Sequence, residues 1–308
     1  MGRGPRFPAR DIRSGQGPTP IQRRCHLDSP FTQIVSLELI DDEHFVAPVA
    51  PERGDRTYGG QLLAQSLAAA QRTVDADRAV HSLHGYFLRA GDPDHPVDLA
   101  VDRVRDGRSF SSRAVSARQD GREVVRLIAS FHVPEDGLEY SGSGMPEAPP
   151  PENVSLTYEQ FTHDLRPDYG GVWSGDARAL EVRYINPPTA PEGEAITEDQ
   201  RMWLRIDGSL NDDPALHAAA LAYMSDSTLV DHVMLPHGYR WQDARLEGAS
   251  LDHAMWFHRA VRADEWLLFD QTVVATSGAR GLVTARFYTA AGVLVATCSQ
   301  EGLMRWPA

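Results

Sequence analysis

The clearest hydrophobic pattern in the chain lies between residues 213 and 230, which read D-P-A-L-H-A-A-A-L-A-Y-M-S-D-S-T-L-V. Asp213 suits the N-cap of a helix and Pro214 its first position, and the Ala and Leu residues that follow are strong helix formers. One set of apolar residues recurs at i, i+3, i+4 and i+7: Leu216, Ala219, Ala220 and Tyr223. The pattern therefore predicts an amphipathic helix with one buried face.

Asp226 falls on the buried side of this predicted helix, three residues after Tyr223 and seven after Ala219. An isolated buried carboxylate is very costly, so it must be hydrogen-bonded, paired or functional. The alternative is that Asp226 is a polar residue at the point where the helix leaves the core. The helical pattern alone leaves both interpretations open.

A second Ala-rich helix is predicted within residues 57–74, where large and small apolar residues again have helical spacing. The residues with this spacing are Leu63, Leu67, Ala70 and Val74. Gly59 and Gly60 stand just before this run, where the absence of a side chain lets the backbone approach a ligand closely. Both glycines are therefore candidate substrate contacts. A plain tight turn into the helix is the competing interpretation.

The hydrophobic period changes after each helix to the alternation of β-strands. Four strand-like segments follow the first helix, and D-G and Q-D-G, which are typical of hairpin turns, separate some of them. Four more segments follow the second helix between residues 250 and 305. A helix followed by several antiparallel strands is an α+β layout, in which the sheet can wrap around the helix.

The two halves align loosely at an offset of about 170 positions, with Phe87 opposite Phe257 and Arg89 opposite Arg259. This indicates an internal repeat, whose two sheets can join edge to edge and so cover exposed strand edges. Comparing the two helices sets Ser66 against Asp226, and comparing the last strands sets Ser130 against Gln300. At these two positions an acidic and an amide side chain occur in the second copy alone, which predicts one site per chain.

Composition changes mark the predicted domain boundaries. Residues 1–28 are rich in Arg, Gly and Pro and are predicted to be a disordered extension. The first repeat is expected over 29–133, and an acidic linker rich in Pro and Gly over 134–154. The second repeat, over 155–308, is expected to carry the catalytic residues.

The net charge is −13, which argues against nonspecific nucleic-acid binding. All 30 basic residues are Arg, which excludes a Schiff-base lysine and a Ser–Lys dyad. Two distant cysteines, Cys25 and Cys298, give no metal-binding or disulfide spacing. There is no membrane-spanning run and no signal-peptide pattern. A cytoplasmic protein without metal or other cofactor is expected.

Several motifs, in order from about residue 31 to the end of the chain, resemble the type II acyl-CoA thioesterases, a double-hotdog family. The first half contributes Y-G-G-Q (58–61), H-S-L-H-G-Y-F-L-R-A-G-D (81–92), R-D-G-R-S-F-S-S-R-A-V (105–115) and A-S-F-H-V-P-E (129–135). The second half contributes Y-M-S-D (223–226), L-D-H-A-M-W-F-H-R (251–259), E-W-L-L-F (265–269), S-G-A-R-G (277–281), F-Y-T (287–289) and Q-E-G-L-M-R (300–305). The resemblance implies two tandem hotdog units, acyl-CoA as the substrate, and a homo-oligomer.

The resemblance also implies a set of catalytic residues. The family uses an Asp, a Thr or Ser and a Gln to activate the water that attacks the thioester carbonyl. They correspond here to Asp226, Ser250 and Gln300. Ser250 keeps the hydroxyl of the commoner Thr but lacks its methyl group. There is no G-x-S-x-G nucleophile elbow, so no covalent intermediate is expected.

Other residues carry weaker expectations. His253 is a candidate substrate contact or catalytic group, or a histidine satisfied within the sheet, and Arg280 is a candidate CoA-phosphate contact or a plain surface residue. Trp256 and Phe257 are expected in the core. Four arginines form a basic cluster that could receive CoA: Arg103, Arg105, Arg108 and Arg113.

Two other functions compete with thioester hydrolysis. A hotdog-fold enoyl-CoA hydratase would use a D-x-N-P-x-H motif. The most similar segment, I-N-P-P at 185–188, lacks both the Asp and the His. A noncatalytic acyl-CoA-binding protein would be indicated by loss of Asp226 or Gln300, and both are present.

Overall fold

Two central helices and a long antiparallel sheet dominate the computed structural model, which describes residues 29–49, 56–142, 144–161, 179–240 and 246–305. The predicted disordered extension, with Cys25, lies outside the described residues. The helices are α1 Pro30–Ile34, α2 Gly59–Gln71, α3 Tyr158–Gln160, α4 Pro214–Ser225 and α5 Leu229–His232. The strands of the first half are β1 Glu38–Asp41, β2 His44–Ala47, β3 Ala79–Phe87, β4 Val97–Asp106, β5 Phe110–Gln119 and β6 Arg122–His132. Those of the second half are β7 Leu180–Tyr184, β8 Gln200–Ile206, β9 Glu247–Ser250, β10 Asp252–Phe257, β11 Leu267–Ser277, β12 Arg280–Thr289 and β13 Leu294–Arg305.

Both halves share one order of main elements, which confirms the α+β double-hotdog prediction. Two short strands precede a helix and four longer strands follow it: β1, β2, α2 and β3 to β6, then β7, β8, α4 and β10 to β13. The strand order across the sheet is β1-β2-β4-β5-β6-β3-β10-β13-β12-β11-β8-β7, and β9 pairs with β13. The last four strands of the first half have the order β4-β5-β6-β3, and those of the second half have the equivalent order β11-β12-β13-β10.

The two halves join through the antiparallel pairing of β3 with β10. His84 lies opposite Ala254, and Leu83 lies opposite Met255. His84 and Ala254 are also equivalent under the 170-residue offset, so an approximate twofold axis passes through this pair. The edge-to-edge union predicted from the repeat is therefore present, and it removes one exposed strand edge from each unit.

Helices α2 and α4 pack against each other under the sheet. Asp213 caps α4 as predicted, since its side chain accepts a hydrogen bond from the N–H of Ala215 at 3.0 Å. Ala219, Ala220 and Tyr223 are buried, whereas Leu216 at the first turn is half-buried. Leu221, Ala222 and Met224 are buried as well, so the second half of this helix is buried on all sides and the prediction of a single buried face is wrong.

The acidic, Pro- and Gly-rich stretch has no helix or strand in its described part before a short 3-10 turn at Pro151–Asn153. It is nevertheless attached to the second sheet, because the Trp203 indole N–H donates to the Pro149 carbonyl at 2.9 Å. Met145 and Ala148 pack on the same small cluster of Trp203 and its neighbours. The domain boundaries themselves remain a prediction.

Candidate active site

The C-terminal end of α4 meets the N-terminal end of α2, and Asp226 lies at this junction as the C-cap residue of α4. The backbone N–H of Gly60, in the first turn of α2, donates a hydrogen bond to the Asp226 carboxylate. First-turn N–H groups have no partner inside their own helix, and the helix dipole favours an anion beside them. The packing of two helices thus supplies a donor for a carboxylate that is partly buried.

Gly59 and Gly60 allow this close approach. A Cβ added to Gly59 would lie 2.5 Å from Asp226 Oδ2 and 2.9 Å from the Phe87 ring. A Cβ on Gly60 would lie 2.3 Å from the Tyr223 carbonyl oxygen. Both glycines have ordinary helical backbone, so contact distance and not a positive φ requires them. The predicted close approach exists toward Asp226, and their contact with substrate remains a prediction.

Strand β13 carries Gln300, whose buried amide links the other two predicted residues. Its Nε2 donates to Asp226 Oδ1 at 2.8 Å and to Ser250 Oγ, at the end of β9, also at 2.8 Å. The side chain is fully buried. The three residues assigned from the resemblance, separated by up to 74 positions, therefore form one hydrogen-bonded group.

The environment of Asp226 makes its carboxyl a weaker acid than usual. Burial raises the pKa of Asp226 from 3.8 to about 7, against the opposing effects of hydrogen bonds from Gln300, the Gly60 N–H and Ser250. Desolvation has the larger effect on the pKa, because removing water from the charged carboxylate destabilises it more than these three hydrogen bonds stabilise it. A carboxyl with a pKa near 7 can both accept and release a proton at neutral pH.

His253, on β10 beside β13, lies directly behind Gln300. Its Nδ1 is 2.6 Å from Gln300 Oε1, and its Nε2 is 2.8 Å from Ser225 Oγ. The ring is buried, and burial lowers the pKa of His253 to about 4 despite the Gln300 hydrogen bond. The imidazole is therefore neutral at neutral pH. Ser225 was not predicted, although it stands next to Asp226 in Y-M-S-D.

A second carboxyl group, that of Asp231 on α5, belongs to the same electrostatic environment. Burial raises its pKa to about 7, and the neighbouring Asp226 charge contributes in the same direction. Asp231 was not predicted, because nothing in S-T-L-V-D-H indicates that the short helix turns back toward the site.

The remaining predicted residues have other surroundings. Arg280 pairs with Glu301 at 2.9 Å and is about half exposed, and its contact with CoA remains a prediction. Arg113 cannot join a basic surface cluster, because it is 1% exposed and bonded to Asp106 and Thr73. The core position expected for Trp256 is wrong, since this ring is 37% exposed on the outer face of the sheet.

The first copy has no equivalent carboxylate at the end of its helix. Arg72 is the C-cap of α2, as Asp226 is of α4, and it donates to the Leu37 carbonyl at 2.8 Å. The helix ends therefore correct the alignment that set Ser66 opposite Asp226. Ser130, which the strand alignment sets against Gln300, contacts His81 Nε2 at 2.8 Å.

No cluster of three or more candidate metal ligands occurs among the residues that the structure describes. Within the same part of the chain, none of the helices combines the length and hydrophobicity needed to cross a bilayer.

Family models match both halves of the chain. Residues 46–132 match the acyl-CoA thioesterase N-terminal domain, and residues 177–303 match acyl-CoA thioesterase. Acyl-coenzyme A thioesterase 8 of Mus musculus is 37% identical over 288 residues, covering 89% of this chain and 88% of the mouse protein. Acyl-CoA thioesterase 2 of Haemophilus influenzae is 33% identical over 279 residues, with 89% and 96% coverage.

Solved structures give the same result. The acyl-CoA thioesterase II TesB2 of Mycobacterium marinum is 39% identical, with a TM-score of 0.74 and coverage of 90% of this chain and 99% of that one. A hot dog fold protein from Alicyclobacillus acidocaldarius, 19% identical with a TM-score of 0.69, shares the fold. These similarities favour a thioester hydrolase over the hydratase and noncatalytic alternatives, and the chain belongs to the acyl-CoA thioesterase family.

Proposed function

We propose that this protein hydrolyses acyl-CoA thioesters to the free acid and CoA, with Asp226 as the general base that activates water. The observation that carries the proposal is the Gln300 amide, which bonds Asp226 and Ser250 at once at 2.8 Å each. Family membership supports the reaction class, and the contacts among these three side chains support their assignment.

The reaction needs one base and one ordered water. Asp226 takes a proton from the water, and the water oxygen bonds to the thioester carbonyl carbon to give a tetrahedral intermediate. The C–S bond then breaks, the carbonyl re-forms, and the thiolate leaves and is protonated to give CoA. The proton held by Asp226 is available for that last step.

The hydrogen bonds indicate a different role for each of the three residues. Both N–H groups of the Gln300 amide are used, one by Asp226 and one by Ser250, so Gln300 orients these two groups. The Ser250 hydroxyl donates its one hydrogen to Asp226, so Ser250 holds the water as an acceptor through its second lone pair, beside the Asp226 carboxylate. We assign the oxyanion to the Gly59 N–H at the first position of α2, since the Gly60 N–H already serves Asp226.

The test is release of CoA thiol from acyl-CoA substrates of increasing chain length, followed with a thiol reagent. Asp226→Asn keeps the shape of the side chain and removes the base, so kcat should fall by about 10²- to 10⁴-fold. Ser250→Ala should lose a large part of the rate and Ser250→Thr should keep it. Glu301→Gln, one residue beyond Gln300 and paired with Arg280 on the surface, is the matched control. Wild-type turnover in Asp226→Asn would remove Asp226 from the mechanism.

Two further expectations, a homo-oligomer and a cytoplasmic location, are part of the proposal. The outer face of the central strands exposes Tyr86, Ile128 and Trp256, which are 61%, 46% and 37% accessible. Exposed apolar side chains that share one face of a sheet are typical of association surfaces. Light scattering on the eluting protein tests the first expectation, because a purely monomeric peak over a range of concentrations contradicts it.

A further inference from the structure

The hydrogens available around His253 determine how the site can be arranged. Ser225 Oγ lies 2.8 Å from His253 Nε2 and 2.9 Å from the Ala222 carbonyl oxygen, and its one hydroxyl hydrogen can serve one of these two. The neutral imidazole carries one N–H, on either Nδ1 or Nε2. The direction of the Ser225 hydroxyl and the position of the imidazole hydrogen therefore depend on each other, because Ser225 faces Nε2 and Gln300 faces Nδ1 of the same ring.

Gln300 determines which choice is compatible with an ionised base. With its NH₂ group on Asp226 and Ser250, its oxygen faces His253 Nδ1 at 2.6 Å. An acceptor oxygen at that distance requires a hydrogen on Nδ1. Nε2 is then bare, and the Ser225 hydroxyl turns away from the Ala222 carbonyl to donate to it.

The opposite arrangement reverses each hydrogen bond. If Ser225 donates to Ala222, His253 carries its hydrogen on Nε2 and presents a bare Nδ1. The Gln300 amide must then turn its NH₂ toward His253 and its oxygen toward Asp226. That oxygen repels a carboxylate, so this arrangement leaves the base without its amide donor.

We propose that His253 is a positioning residue, which with Ser225 holds the Gln300 amide in the orientation that serves Asp226. The inference rests on the proposed function, since it describes how the base of that reaction is held. His253 does not touch the reacting atoms: its ring is 1% exposed, and both nitrogens contact protein side chains.

Three substitutions separate positioning from simple packing. His253→Asn places an amide N–H at the same bond distance from the backbone as Nδ1, so it can still donate to Gln300. His253→Gln extends further, toward the place of Nε2, and His253→Leu has no donor. His258, one residue beyond the end of β10, is exposed and bonded to Thr297 at 2.9 Å, and it provides the control variant His258→Asn.

The expected result is a fall in kcat of about 100-fold in His253→Leu with little change in KM, because a displaced catalytic group costs about that much. His253→Asn should recover at least about tenfold of that loss, and His253→Gln should not. Losing the Gln300 donor also removes a hydrogen bond that stabilises ionised Asp226. The acid limb of the pH–rate profile should therefore move upward by about 1 pH unit in His253→Leu and return in His253→Asn.

The outcomes distinguish this inference from the proposed function. If Asp226→Asn is inactive while His253→Leu keeps the wild-type kcat and pH profile, the positioning role is wrong and the mechanism stands. Equal losses in the Asn and Leu variants, with an unmoved pH profile, would show a packing role and also overturn the inference. If His253→Leu fails to fold, Ser225→Ala tests the same linkage, and an unchanged kcat and pH profile there would contradict it. Activity in Asp226→Asn contradicts the proposed function itself.

Discussion

Asp226 should make the folded protein less stable as the pH rises, and Asp226→Asn should remove that effect. In the folded state burial raises the pKa of this carboxyl from 3.8 to about 7. Between these two values the unfolded chain ionises the group while the folded chain holds its proton. Stability contributed by the protonated form is therefore complete below about pH 3.8 and is lost progressively until the pH passes about 7.

The magnitude follows from the two pKa values. At 1.36 kcal/mol per pKa unit, moving the pKa from 3.8 to about 7 corresponds to about 4 kcal/mol over the whole range. About 2 kcal/mol of this falls between pH 5.5 and pH 8.5, where denaturation is convenient to measure. Asp231 adds to the difference in the same direction, because its pKa is raised partly by the Asp226 charge, which the substitution removes.

The assay is urea denaturation of the wild type and of Asp226→Asn from pH 5.5 to 8.5. The variant should gain stability relative to the wild type as the pH rises, by about 2 kcal/mol. Glu301→Gln measures what the loss of a surface charge does over the same range. A wild-type minus variant difference that is independent of pH, or that grows in favour of the wild type at high pH, would refute a raised pKa for the Asp226 carboxyl.

Three further predictions follow from single contacts. The kcat of the wild type should rise with pH through about 7, as Asp226 ionises to its basic form, and a profile flat between pH 6 and pH 8 would contradict the assignment of the base. Gly59→Ala would place a methyl 2.5 Å from Asp226 Oδ2, so thiol release should fall by about 100-fold, whereas Gly137→Ala, with open space around it, should have normal turnover. Arg113→Met should lower the free energy of unfolding by about 3 kcal/mol, measured in urea, because Thr73 loses its buried donors and Asp106 its ion pair; an unchanged midpoint would show that this pair is not structural.

The parts of the fold that could be predicted are those encoded in short stretches of sequence. The cap at Asp213 and Pro214, the buried stripe through Tyr223 and the pair Gly59–Gly60 are each set by neighbours within a few residues. The edge-to-edge union of the two sheets could be predicted as well, because a repeated unit with one bare strand edge can pair with its own copy. The strands that join, β3 and β10, could not be named. The resemblance to known enzymes supplied Asp226, Ser250 and Gln300.

The hydrogen-bond pattern of the site could not be predicted in this way. It depends on the register between β13 and the strands beside it, which places Ala254 opposite Ser299 and Ser250 opposite Gly302. A slip of one residue would turn Gln300 to the other face, and no local pattern fixes that register to a single residue. Ser225 on α4 and Asp231 on α5 were missed because no local pattern shows which side chains of these helices approach the site. The prediction that Trp256 lies in the core was wrong, because the hydrophobicity of a residue does not tell which face of its strand meets the core.

The position of the site explains why neither repeat would be sufficient alone. Asp226, Ser250 and Gln300 lie in the second repeat. The first repeat contributes the Gly60 N–H, which donates to Asp226, and Gly59, whose lack of a side chain leaves room for the Asp226 carboxylate. The two repeats are also joined at β3 and β10, so His253 on β10 sits in the strand that connects them. The first copy has Arg72 where the second has Asp226, yet it still contributes the helix N-terminus beside Asp226. The second repeat expressed alone should therefore lack thiol-releasing activity even if it keeps Asp226, Ser250 and Gln300.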